Sequence, residues 1–172
     1  GLVLGGFVVG HGTGSNLHTA EGGQTYACDV APTTDGVVTV DVAANVAQDA
    51  AVNNDVAASE FYIPCEHTAP PTLITATQSG PTNADPINFS IDFGEVVSGL
   101  VLGEIVVGNG TGSNLNTADG GQTYAFDVAP TTDGVVTVDV AANVAQDAAG
   151  NNNVAASQFS ISSDQTSPTP VI

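Results

Sequence analysis

The chain has 172 residues, of which 18 are Asp or Glu and none is Lys or Arg, giving a formal charge of −18. With no cationic side chain it has nothing to offer a phosphate backbone or an anionic lipid surface, so nucleic acid and membrane headgroups are excluded as partners. Apolar residues make up 42 % and the acids stand singly rather than in blocks, which marks a folding chain and not an acidic tail.

Two further bounds follow from composition. Each clustered or buried carboxylate must be satisfied by backbone N–H groups, water, protonation or an added cation, because no basic side chain exists to do it. No apolar run approaches the ~18 residues of a membrane span. Met is absent, which predicts a processed or excised piece of a longer protein.

The pattern predicts short strands separated by turn signals, most clearly from residue 73 onward. Leu73–Ala76 reads as a first strand, followed by a breaker-rich loop over Gln78–Pro86. Ile87–Phe93 alternates strictly, with Ile87, Phe89, Ile91 and Phe93 on the inward face. Leu100–Val107 is the next predicted strand, and the Gly/Asn/Thr-rich stretch Gly108–Gly121 is predicted as a hairpin region. Gln122–Val128 alternates again, with Tyr124, Phe126 and Val128 inward. A turn at Pro130–Gly134 leads into Val135–Val140. The run Val140–Asp147 is the one place where a helical turn is predicted, before a loop over Asn143–Asn153. Val154–Ser163 closes the series, with Phe159 and Ile161 inward.

The chain also repeats itself. Gly1–Ile74 aligns without a gap to Gly99–Ile172, an offset of 98 residues, with 56 of 74 positions identical. Thr75–Ser98 has no partner in the first copy. The expected architecture is all-β, a tandem of immunoglobulin-like sandwiches of about seven strands each, whose first copy lacks its opening strands. The expected divisions are a partial repeat over 1–66, a linker over 67–71, a complete repeat over 72–164, and a linker with the start of a next repeat over 165–172. Left alone, the first copy would expose sheet edges and an open core.

The candidate site is a loop present in both copies. Asp147, Asn151 and Asn153 in the second copy, and Asp49, Asn53 and Asp55 in the first, set oxygen-bearing side chains at short spacing around Gly150 or its replacement Val52. Such a loop suits either a hard cation or an Asx-type turn. In a sandwich this loop shares an end with the one holding Glu95 and receives the incoming linker with Glu66. Five oxygen donors, Glu66, Glu95, Asp147, Asn151 and Asn153, are therefore expected to converge where copies meet. Calcium fits such an irregular set better than magnesium, at the ~10⁻⁴–10⁻³ M affinities of extracellular modules.

Cys28 and Cys65 occur only in the first copy, where the second has Phe126 and Ser163. Alternation turns both toward the core, so they are candidates for a disulfide or for two buried thiols. His11, His18 and His67 are also confined to the first copy and read as solvated loop residues rather than a zinc set. No nucleophile–base pair is supported, so no enzyme is expected. The glycine strings lack a following helix or Lys, which argues against a phosphate cradle.

The run Phe89–Glu95, the segment Val107–Thr111, Tyr124, the Thr-x-Asp-Gly turn, Asp147–Asn151 and Phe159 together resemble the bacterial immunoglobulin-like repeats of very large surface adhesins. The stretch Asp164–Pro170 is similar to the junctions of those arrays. The resemblance covers nearly the whole chain. It implies a β-sandwich, an extracellular stalk or adhesive role, and calcium at or near the junctions. Neighbouring repeats or identical subunits of a fibre are the expected partners, with any glycan or surface ligand held at a distal tip outside this chain. Two other readings stay open: a filament subunit assembled by strand donation between chains, and a carbohydrate-binding or accessory module of a secreted enzyme. The first copy departs from the pattern at Val52 and at Glu66, where the second has Gly150 and Asp164.

Overall fold

The computed structural model describes Leu2 and residues 4–172. The chain divides into two compact units, residues 1–68 and 69–172. Each is all-β, with only short 3₁₀ turns besides its strands.

The second unit contains seven strands. In chain order, with the first unit's five strands taking the labels β1–β5, they are β6 (Leu73–Ala76), β7 (Ile87–Asp92), β8 (Ile105–Gly108), β9 (Gly110–Thr117), β10 (Thr123–Pro130), β11 (Gly134–Val140) and β12 (Phe159–Ser163). They form two antiparallel sheets, ordered β6-β7-β10-β9 and β12-β11-β8. Four strands against three in this order is the immunoglobulin constant-type plan.

Period-two alternation explains the core. Ile87, Phe89 and Ile91 point inward from β7, and Tyr124, Phe126 and Val128 from β10, in a register that sets Phe126 opposite Phe89. Val136, Val138 and Val140 answer them from β11. The rings of Phe89 and Phe126 stack at 5.4 Å between centroids, and Phe159 meets Phe89 edge-on at 5.7 Å. Phe93 and Tyr124 form a second edge-on pair at 6.0 Å. Ile, Leu, Val and Ala side chains fill the remainder.

The first unit contains β1 (Phe7–Gly10), β2 (Gly12–Ala20), β3 (Thr25–Pro32), β4 (Gly36–Val42) and β5 (Phe61–Cys65). They pair as β1-β4-β5 and β2-β3. These five match β8–β12 of the second unit at the 98-residue offset, and among the described residues nothing in this unit corresponds to β6 and β7. Its core is correspondingly small: Phe7 and Val38 are buried, while Phe61 and Ile63 of β5 are 63 % and 50 % exposed. The inward placement expected from alternation holds for β5 only where a facing layer exists.

Four predicted stretches differ in detail from expectation. The Gly108–Gly121 hairpin region holds a full strand, Gly110–Thr117, whose backbone pairs antiparallel along β10 although its side chains are mostly exposed. Val140–Asp147 forms no helical turn: β11 runs to Val140, Asn143 adopts a left-handed φ of 65°, and Gln146 bridges to Ser98 and Asn152. The predicted strands at Leu100–Val107 and Val154–Ser163 are shorter than expected, beginning at Ile105 and Phe159 after stretches of 3₁₀ turn and coil.

Candidate functional site

The loop between β11 and β12 is held by its own side chains. Asp147 accepts the Asn151 backbone N–H on Oδ1 at 2.8 Å and the Asn151 amide on Oδ2 at 2.8 Å. The chain closes behind it through Asp147 N–H to the Asn151 carbonyl at 3.1 Å. Gly150 takes a φ of 91° at the tip, where an L side chain would be strained. Burial raises the Asp147 pKa, but the Asn151 side-chain and backbone donors outweigh it and hold the carboxyl below its ordinary value.

Asn153 serves the frame of this loop. It is 2 % exposed, and its Oδ1 accepts the Val144 and Ala145 N–H groups at 2.9 and 3.0 Å. Its amide donates to the Ala141 carbonyl at 2.9 Å and to the Thr72 hydroxyl at 3.1 Å. The oxygen assigned to a metal by the sequence pattern is thus engaged with backbone, and a buried Asn without those partners would be costly. Asn153 thus pins the frame of the loop through both ends of its amide.

The structure brings Glu95 and Asp147 together, with carboxylate oxygens within 4.8 Å of one another. Glu95 follows the Gly94 turn, where the Gly94 N–H donates to Asp92 at 2.8 Å. Asp147 is placed by the pairing of Gln146 with Ser98, two backbone hydrogen bonds of 2.7 and 2.9 Å. Among the described residues Glu95 makes no hydrogen bond or ion pair. Two hard anionic donors this close, in a chain without Lys or Arg, fit a divalent cation of the calcium type better than they fit each other. Asn151 lies half-buried beside Asp147. Glu66 is exposed in the first unit, directly after β5.

The matching loop of the first unit repeats the geometry. Asp49 accepts the Ala51 and Asn53 N–H groups at 2.8 Å each and the Asn53 amide at 2.9 Å. The Asn53 side-chain and backbone donors depress its pKa. Asp55 stands where the second unit has Asn153 and accepts the Ala47 N–H at 2.8 Å. Asp49 and Asp55 therefore turn their oxygens onto backbone and amide donors, and Asn53 supplies two of the donors to Asp49. Unlike Asp147, Asp49 is exposed.

The bridge considered between Cys28 and Cys65 is not formed; both are free and half-buried. Cys28 lies mid-strand in the β2-β3 sheet, whereas Cys65 is the last residue of β5 in the other sheet.

Three further carboxylate hubs, Asp119, Asp133 and Asp35, lie outside the residues that the site pattern picks out. Asp119 accepts the Thr123 N–H at 2.9 Å, the Thr117 hydroxyl at 2.9 Å and the Gly121 N–H at 3.3 Å, and the Thr123 donor leads in holding its carboxyl far below the ordinary value. Asp133, in the turn before β11, accepts the Gln165 N–H at 2.7 Å and the Thr166 hydroxyl. Asp35 does the same for the His67 N–H at 2.6 Å and the Thr68 hydroxyl. In each unit one Asp of the Thr-Thr-Asp-Gly turn fastens the chain that leaves the last strand.

The comparison with known families decides the identity. The model of the bacterial Ig-like domain matches residues 66–163, more than half of the chain. The chain belongs to the bacterial Ig-like domain family. None of the curated proteins compared with it matches. Membership agrees with the sheet order β6-β7-β10-β9 over β12-β11-β8 and supports a structural or surface module, a role typically without catalysis. No described helix is long and apolar enough to cross a membrane.

Proposed function

We propose that the chain is a structural repeat of a bacterial surface protein, forming part of a stalk or fibre shaft whose joints are stiffened by calcium. The observation that carries the structural part is the duplication of one Ig-like plan at a 98-residue offset, with the outgoing chain tied back by Asp35 in one copy and Asp133 in the other. Repetition with a fixed exit suits a part that transmits position, not one that turns over a substrate.

The calcium part is supported by the Glu95–Asp147 pair, which has no basic residue to neutralise it. Asn151, whose backbone and side-chain N–H groups both bond Asp147, offers its amide oxygen beside the pair, and backbone carbonyls supply the remaining ligands of an irregular shell. Glu66 enters from the sequence alone, as the residue at the position Asp164 holds in the second copy. Neighbouring repeats are the partners, and any adhesive ligand is bound elsewhere.

The test is calorimetric titration of calcium into the chelator-stripped chain, followed by thermal melting. Heat of binding with a dissociation constant of ~10⁻⁴–10⁻³ M, and a melting point that rises with calcium, are expected. Both are lost in Glu95→Gln and Asp147→Asn, and Glu66→Gln is expected to weaken binding. Absence of heat and of any shift at millimolar calcium overturns the calcium part and leaves the structural repeat standing.

A further inference from the structure

One outer face of the first unit is rebuilt relative to its duplicate. Register and alternation set Val8 of β1, Val37, Thr39 and Asp41 of β4, and Tyr62 and Pro64 of β5 on the side turned away from buried Phe7 and Val38. The equivalent side of β8, β11 and β12 lies open although the second unit's core is closed: Val106 is 62 % exposed, against 65 % for Val8. This face is turned to solvent by the plan of the sandwich, and strands such as β6 and β7 do not cover it. Val8, Val37, Thr39 and Asp41 are the same in both copies, as are Phe61 and Ile63 on the inner side of β5. The outward positions of β5 and of the residue before it all differ: Glu60 replaces Gln158, Tyr62 replaces Ser160 and Pro64 replaces Ser162.

In the second unit Gln158 donates its amide to Asp139 Oδ2 at 2.7 Å. Glu60 stands at that position with no amide to give, and among the described residues Asp41 has no side-chain partner. The backbone frame is the same in both copies: the Ala58 N–H donates to the Val42 carbonyl and the Ala156 N–H to that of Val140, each at 3.0 Å. Next along the ladder Tyr62, 67 % exposed, lies across from Thr39, and beyond it Pro64 lies across from Val37. Two carboxylates, an open aromatic ring and an apolar pair, in that order, are the chemistry that recognises a cation on an apolar stem. We propose that this face docks a Lys- or Arg-bearing segment of another protein, its cation held by Asp41 and Glu60 against Tyr62 and its apolar part laid over Val37 and Pro64. A second copy of this chain is not the partner, since it holds no Lys or Arg. A neutral sugar gains nothing from the change of Gln158 to Glu60, which removes a donor. A bare metal ion leaves the tyrosine ring and the proline unused. The proposal shares no residue with the Glu95–Asp147 pair and does not depend on calcium.

The test titrates a synthetic peptide of alternating Arg and Leu into the full 172-residue chain, with chelator and at physiological ionic strength, and follows the amide shifts by NMR. Saturable binding is expected, with shifts confined to β1, β4, β5 and the Tyr62 ring. The same peptide with citrulline for Arg, neutral but of similar shape, is expected to bind about tenfold more weakly. Glu60→Gln, Tyr62→Ser and Pro64→Ser together, each a residue the second unit already carries, are expected to weaken binding by a similar factor. The reverse pair, Gln158→Glu with Ser160→Tyr, is expected to install binding on the second unit. Shifts spread over the acidic loops and unchanged in the triple variant overturn the proposal, since net charge alone then attracts the peptide. Equal affinity for the citrulline peptide overturns it too. A neutral oligosaccharide that shifts Tyr62 where the Arg peptide does not bind overturns the choice of occupant in favour of a glycan, and no binding of either probe overturns the proposal outright.

Discussion

The two units share most of their residues from β1 to β5 and from β8 to β12, yet one has a closed core and the other does not. Val140 and Val138 are buried in the second unit, and their equivalents Val42 and Val40 are only half-buried; Ile161 is 5 % exposed against 50 % for Ile63. Identical local sequence thus gives identical strands but not identical burial. Burial comes from β6, β7 and the segment around Val97, which among the described residues only the second unit has. The candidate site follows the same rule. Asp147 is buried by the Glu95–Ser98 segment and meets Glu95, whereas Asp49 builds the same Asx turn in the open.

The largest expected contrast lies at the position where the copies differ by a ring. Phe126 is 1 % exposed and stacks on Phe89. Phe126→Ala should cost about 3–5 kcal/mol of stability, while Cys28→Ala, facing an uncovered side, should cost less than about 1 kcal/mol. Denaturant melts following hydrogen exchange in each unit separately check this. Equal losses would mean that the first unit's core is as closed as the second's.

Acid should separate the units next. Asp119, Asp127, Asp133 and Asp147 in the second unit, and Asp35 and Asp49 in the first, have folded pKa values lowered, chiefly by donated hydrogen bonds. A lowered folded value means the unfolded chain takes up the proton first. The stability these groups give is therefore present above the unfolded carboxyl value of about 3.9 and is lost as pH falls through the folded values. Relief of repulsion among 18 acids acts the other way on first acidification. The expected profile is flat or rising from neutral pH to about 4, then falling, and falling more steeply for the second unit. Melting temperatures that keep rising to about pH 2 would show that repulsion outweighs the hydrogen-bonded carboxylates.

How much of this is legible in the sequence depends on whether a side chain or a backbone does the specifying. Ile87–Phe93 and Gln122–Val128 announce themselves, because large apolar residues at every second position have only one way to face a core. Gly110–Thr117 does not: Gly, Asn and Thr line it, and only its ladder with β10 makes it a strand. At the site, the juxtaposition of Glu95 with Asp147 follows from sandwich topology, since the two loops share an end. The role of Asn153 does not follow, because an Asn that ligates and an Asn that binds Val144 and Ala145 look alike in sequence. Asp119 had a weak signal, a carboxylate between Thr117 and Thr123 beside two glycines, which a search for charged clusters passes over.

The smallest contrast is also the cleanest. Gly150 and Val52 occupy the same turn with φ of 91° and 66°, and an added Cβ at Gly150 would meet nothing within 4 Å. The penalty for a side chain there is thus backbone strain alone, about 1–2 kcal/mol in the left-handed region. Gly150→Val should destabilise the second unit by that amount, and Val52→Gly should return a similar amount to the first, less the greater entropy of glycine in the unfolded chain. The side-chain bonds to Asp147 and Asp49 are the same in both loops, so neither substitution should alter them. Gly150→Val is also expected to leave calcium binding intact, because it moves no oxygen. If it abolishes binding, the tip of the loop is itself part of the coordination shell, and the Gly-to-Val difference between the copies becomes a difference in metal affinity and not merely in strain.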